Sequence, residues 1–181
     1  MPGTWGIAYV KPELDPVDFI SGVRLTSIDE GIEVHLMDSS GIARPDVVLS
    51  LFTIFSERLK LLLDMAGVEN IDYYQAKIIH PNGDIISEKY YVANIIGLID
   101  AVDQSTSKLT PQRGKMPSRI KQFYINNDNT NNLNVFRIVN SPSLIIISNR
   151  IKVVIENAIL SGVYLLPTQK WTGTPGVSYF D

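Results

Sequence analysis

Two carboxylates three residues apart, Asp100 and Asp103, follow the apolar run Tyr91 to Ile99. Acids at a strand end could share general acid and base work if their surroundings separate their pKa values. The plainer use of such acids is to cap a turn or pair with an arginine. The two histidines, His35 and His80, have no metal-ligand neighbour at helical or hairpin spacing. With no cysteine in the chain, there is no thiolate nucleophile, disulfide framework or Cys-based zinc site. No clustered acidic loop offers a carboxylate site for a cation. The chain lacks a Gly-x-Ser-x-Gly elbow, a phosphate-binding glycine loop and a dinucleotide fingerprint. Arg58 and Arg150, near expected helix N-termini, could hold anions, but local ion pairs or strand contacts are the simpler use. No catalytic, cofactor-binding or metal residue is assigned.

One basic stretch could hold nucleic acid. Lys108, Arg113, Lys115, Arg119 and Lys121 fall within 104–125, which has no acid, and Phe123 and Tyr124 close by could stack bases. The net charge of −3 argues against it. The acids concentrate at the other end of the chain: residues 1–46 carry −5 and the remainder +2. Asp15, Asp18, Asp29 and Glu30 in the acidic part, and Arg113, Lys115 and Arg119 in the basic loop, are the candidate partner contacts.

The elements that position these residues are marked by an internal repeat. Phe55-Ser56-Glu57-Arg58-Leu59-Lys60-Leu61-Leu62-Leu63-Asp64-Met65-Ala66 returns 92 positions later as Ile147-Ser148-Asn149-Arg150-Ile151-Lys152-Val153-Val154-Ile155-Glu156-Asn157-Ala158. Ser, Arg, Lys and Ala are identical, and the stripe positions stay aliphatic. Leu59, Leu62, Leu63 and Ala66, and likewise Ile151, Val154, Ile155 and Ala158, follow the spacing of a buried helical stripe. Ser56 and Ser148 stand as N-caps, and Gly67 and Gly162 as the stops. Two strand–helix–strand units follow, with strands expected at 51–55, 144–147 and 163–166.

Between them, Ile71 to His80 and Ile85 to Ile99 read as a hairpin. Asn82-Gly83 would supply the two positive-φ residues of its turn. The returning strand is apolar on both parities, as a central strand should be. Gly31 to Met37 alternates as a half-exposed strand, and 135–139 pairs with the strand at 144–147.

The 181 residues fit one domain with an ordinary apolar content of 45%. The N-terminus lacks the basic region and apolar run of a signal peptide, and no run reaches membrane-span length. The expected class is α+β: a mostly antiparallel mixed sheet with at least two packed helices. Residues 1–44 are expected as an irregular segment with one strand, 45–171 as the body, and 172–181 as a loosely ordered tail.

One series of motifs adds a function. Ser56-Glu57-Arg58-Leu59-Lys60 is followed by Tyr90-Tyr91-Val92-Ala93-Asn94-Ile95 and by Ile99-Asp100-Ala101-Val102-Asp103 with Ser105. Val135-Phe136-Arg137-Ile138, then Ser141 to Ser148, then Gly162-Val163-Tyr164-Leu165-Leu166-Pro167 complete it. In this order, over residues 45–171, the chain resembles the MXAN-type family of bacterial polymorphic-toxin immunity proteins, formerly a domain of unknown function. The resemblance implies a cytoplasmic protein that binds a cognate toxin and blocks its active site or a nearby surface. It implies no enzyme, cofactor, nucleic acid or membrane, and leaves the oligomeric state open. The family carries over no catalytic residue, so Asp100, Asp103, Arg137 and Ser148 are read as structural markers. An acidic surface would suit a basic toxin. The alternatives are a small enzyme using Asp100 and Asp103, a nucleic-acid module using Lys108 to Lys121, and a scaffold with no toxin partner.

Overall fold

The computed structural model describes residues 5–28, 31–40, 43–109, 120–171, 173 and 176–180. Thirteen strands and two helices follow one another along the described chain. The first six strands are β1 (Ile7–Lys11), β2 (Ile32–Leu36), β3 (Val47–Leu49), β4 (Thr53–Ser56), β5 (Ile71–Ile79) and β6 (Ile85–Ile95), with α1 (Glu57–Met65) between β4 and β5. They form one sheet in the order β1-β2-β5-β6-β4-β3. Then come β7 (Leu98–Ile99), β8 (Lys108–Leu109), β9 (Ile120–Gln122), β10 (Val135–Ile138), β11 (Ser141–Ser148), α2 (Asn149–Asn157), β12 (Leu165–Pro167) and β13 (Val177–Phe180). A second sheet has the order β12-β13-β11-β10-β7, and β8 and β9 form a small ribbon. The class is α+β, with antiparallel and parallel pairs in both large sheets.

Three apolar clusters hold these layers. The central one joins Phe55, Ala93 and Ile95 of the first sheet, Val135, Ile145 and Ile147 of the second, and the buried stripes of both helices. Another lies on the far face of the first sheet, where Trp5 and Phe19 cover Val34, Ile78 and Val92. A third covers the far face of the second sheet with Phe123 and Trp171. The helices are short, and burial of Leu59, Leu63, Ile151 and Ile155 is what holds them.

Several expectations change. The strand expected to run through to Ile99 ends at Ile95, and β7 pairs parallel with β10 in the other sheet. Gly97 makes the crossing at φ +121°, where a Cβ would come within 2.8 Å of Leu133. In the β5–β6 turn only Gly83 has positive φ. Pro81 fixes a negative φ just before Asn82, and a positive-φ glycine follows, giving a three-residue turn, 81–83, closed by the bond from His80 N to Asp84 O at 2.9 Å. The N-terminal segment supplies two strands rather than one. Residues 177–180 form β13, inserted between β11 and β12, and not a loose tail. Val177, Ser178, Tyr179 and Phe180 suit a half-buried pleat, which outweighs the Gly-Pro punctuation before them.

Candidate partner-binding surface

Asp46 and Asn134 extend the repeat beyond what the sequence shows. Each precedes the first strand of a hairpin, β3–β4 or β10–β11, that leads into a helix. Each accepts a backbone bond from the helix-capping serine: Ser56 N to Asp46 O and Ser148 N to Asn134 O, both 2.9 Å. Each also accepts the serine hydroxyl on its side chain, at 2.7 Å for Ser56 and 2.8 Å for Ser148. Ser56 Oγ accepts from Leu59 N as a cap should, whereas the Ser148 hydroxyl caps no helix amide.

The matching arginines act across the repeat, not locally. The Arg58 guanidinium donates to the carbonyl of Ala158, the C-cap of α2. Arg150 Nη2 donates to the carbonyl of Ala66, the C-cap of α1, at 2.8 Å. The helices therefore run antiparallel, and each places a cation on the other's negative end. The matching lysines form i,i+4 ion pairs, Lys60 with Asp64 at 2.6 Å and Lys152 with Glu156 at 3.1 Å. Each also lies over a tyrosine ring, Tyr73 for Lys60 and Tyr179 for Lys152.

The copies part at the residue after the C-cap. In α1 it is Gly67 at φ +73°, and in α2 it is Ile159 at φ +51°. A β-branched residue is a rare occupant of the left-handed region. Gly162, expected as the stop, lies beyond the helix, where a Cβ would meet the Val47 carbonyl at 2.5 Å. It serves the close approach of this segment to β3, recorded by Asp46 N to Ser161 O at 2.9 Å. Ile159 is 85% exposed and Tyr164 68% exposed. With Ile155, Leu160, Val163 and Leu165 they line a groove of about 290 Å³. Glu156 is the one carboxylate in that lining. Leu61, Met65 and Val153 are exposed on the same helix pair.

The profile of the immunity protein family Imm11 matches residues 21–170. The chain belongs to the Imm11 family of immunity proteins. Comparison with curated proteins returns no match. The Imm11 match covers both hairpin–helix units, the crossed arginines and the groove. It begins at residue 21, earlier than the motifs alone suggest, and so takes in β2; β1 and β13 lie outside it.

The sequence-chosen residues fall in several places on this Imm11 chain. Asp103 is a half-buried turn cap whose Oδ1 accepts from Ser105 Oγ at 2.6 Å and Ser105 N at 2.8 Å. Those bonds hold its carboxyl below the ordinary range. Asp100 is exposed, and its backbone carbonyl accepts from Asn129. Asp15 Oδ1 accepts from Val17 N in a turn, and Asp18 opens a short 3₁₀ turn; both acids are exposed. Asp29, Glu30, Arg113, Lys115 and Arg119 lie outside the described residues. His35 Nε2 is 3.2 Å from Glu33, and its ring stacks on Tyr9, while His80 serves the β5–β6 turn with Asn82. Among the described residues, no group of three or more His, Asp or Glu side chains could hold a metal ion. No helix there is long and apolar enough to cross a membrane.

Arg137 is 1% exposed, donating from Nη1 to the Pro142 carbonyl at 2.8 Å and from Nη2 to Thr53 Oγ1 at 3.0 Å. Its Nε has no partner, and burial alone pushes its pKa down to about 10. It stays charged at neutral pH and ties β10 to β4 across the two sheets. The groove was missed in the sequence because Ile159 and Tyr164 read there as the end of a helix and the start of a strand.

Proposed function

We propose that this protein neutralises a cognate bacterial toxin by stoichiometric binding in the cytoplasm of the producing cell. The observation that carries this reading is the Imm11 match over 21–170, which takes in both hairpin–helix units. Asp103 is committed to a turn, which favours binding over acid–base chemistry. The exposed acids Asp15 and Asp18 would speed association with a basic toxin surface, since complementary charge raises the encounter rate.

The test is to co-express the chain with a toxin-like protein encoded beside it, scoring growth and co-purification. Rescue with a one-to-one complex is the expected result. Rescue without a complex would overturn binding and favour an enzyme that reverses the damage. Absence of both, with a toxin shown to be active, would overturn the immunity reading for that pair.

A further inference from the structure

We infer that the groove at the end of α2 is the toxin's docking site, taking an apolar side chain carried on an extended segment that lies along the outer edge of β12. The inference rests on the immunity reading. Its first support is the difference between the two copies. Where α1 ends on a relaxed glycine, α2 ends on an isoleucine in a strained backbone, and the isoleucine side chain gains almost no burial. Folding alone favours glycine or asparagine at that position. Strain of this kind persists where the surroundings impose it and clusters at binding sites. Here the strain holds an apolar side chain out beside Tyr164, over a groove that already has apolar walls.

The occupant follows from what borders the groove. Leu165, in its lining, is the first residue of β12, an edge strand of the second sheet. No described segment pairs with the outer side of β12. Unpaired edge backbone is satisfied by another strand, and peptide partners use this route with side chains seated in adjacent pockets. Glu156 at the wall is paired with Lys152 at 3.1 Å but its side chain stays half exposed, so it can still meet a basic residue next to the partner's apolar anchor.

The test compares Ile159→Asn and Tyr164→Ser with the unaltered chain, measuring melting temperature, toxin affinity by calorimetry and amide exchange. Asparagine tolerates the left-handed backbone, so Ile159→Asn should melt no lower than the parent. It should still bind toxin at least tenfold more weakly. Tyr164→Ser should fold and also lose at least tenfold. In the parent complex, amides of residues 163–166 should gain protection. Folded variants with unchanged affinity would overturn the site, and bound toxin without protection at 163–166 would overturn the strand pairing. A parent that dimerises through Ile159, with toxin affinity intact in the variant, would assign the groove to a second copy and overturn the inference. Failure of the parent chain itself to bind toxin would instead sink the immunity reading.

Discussion

The two hairpin–helix units share more than sequence. Asp46–Ser56–α1 and Asn134–Ser148–α2 place a polar side chain, a serine bonded to it at the N-cap position, an arginine and a lysine in matching places, although only the Ser56 hydroxyl caps a helix amide. The common residues hold the helix pair together. The residues that differ carry what is local to each copy: an anionic Asp46 against a neutral Asn134, and a relaxed Gly67 against a strained Ile159. The shared core makes the largest claim. Leu59→Ala and Ile151→Ala each empty a fully buried stripe position. Each should lose about 3 kcal/mol, within the range for leucine and isoleucine truncations. Urea denaturation checks this, and a loss below ~1 kcal/mol for either would show that its helix is not part of the common core.

The next contrast is at the polar corner. Asp46 accepts from Ser56 Oγ, from Ser161 N at 2.9 Å and from Ser161 Oγ at 3.2 Å. Asp46→Ala strands these donors and should cost about 2–3 kcal/mol, since hydrogen bonds to a charged group are the stronger kind. Asn134→Ala removes one neutral acceptor from Ser148 and should cost about 1 kcal/mol. Equal losses in denaturation would mean that the charge of Asp46 contributes nothing.

The first copy has a further tie. Tyr90 donates its hydroxyl to the Pro45 carbonyl at 3.0 Å, and burial, with the nearby Asp46 charge, pushes its pKa up to about 12. An acid whose folded pKa is raised binds its proton more tightly when folded. The unfolded chain releases that proton first, near 10.0, so stability is complete below that pH and falls as pH rises toward 12. Tyr90→Phe should lose stability at neutral pH yet show a shallower alkaline decline. Parallel pH curves for the two proteins would contradict the assignment. Arg137, with its lowered pKa, acts in the opposite direction over nearby pH values, but it is common to both proteins and cancels in the difference.

What was legible in the sequence is the part that repeats locally. The stripes of α1 and α2, the Ser56 cap and the central β6 strand depend on patterns within a few residues, whereas Ser148 stands at the N-cap position of α2 without capping an amide. The insertion of β13 between β11 and β12 depends on a parallel pairing that no local pattern encodes. The partners of Arg58 and Arg150 lie 100 and 84 residues away, so their crossed roles needed the fold. The helix stop at Ile159 was hidden because glycine is the ordinary signal, and Gly162 stood three residues on. The family's motif order was readable, whereas the groove became visible only when Ile159 and Tyr164 came together.

Exchanging the two stops sharpens that last point. Beyond its chain neighbours, nothing described lies within 4 Å of a Cβ placed on Gly67, so the branch point of Gly67→Ile meets open space and the substitution adds mainly backbone strain. It should cost about 1–2 kcal/mol. Ile159→Gly relieves strain but frees the unfolded chain, and the two effects should nearly cancel, leaving stability within about 1 kcal/mol of the parent. Melting curves of both variants check the pair. A large loss on Ile159→Gly would mean that the isoleucine side chain supports the fold.

The smallest effect lies in the crossed arginines and tests the repeat most finely. Each guanidinium lies at the negative end of the opposite helix, worth about 0.3–1 kcal/mol when exposed. Arg150→Ala should show that loss. Arg58→Ala should show slightly more, because Arg58 also lies 3.8 Å from Asp46, where the second copy offers only neutral Asn134. The two bonds lie at opposite ends of the helix pair, so the double variant should lose the sum of the single losses to within ~0.5 kcal/mol. Asp46→Asn converts the corner of the first copy into that of the second. In that background the extra loss from Arg58→Ala should vanish and the two arginines should become equivalent. If Arg58 keeps its excess there, the asymmetry comes from its bond to Ala158, and the Asp46 charge has no part in it.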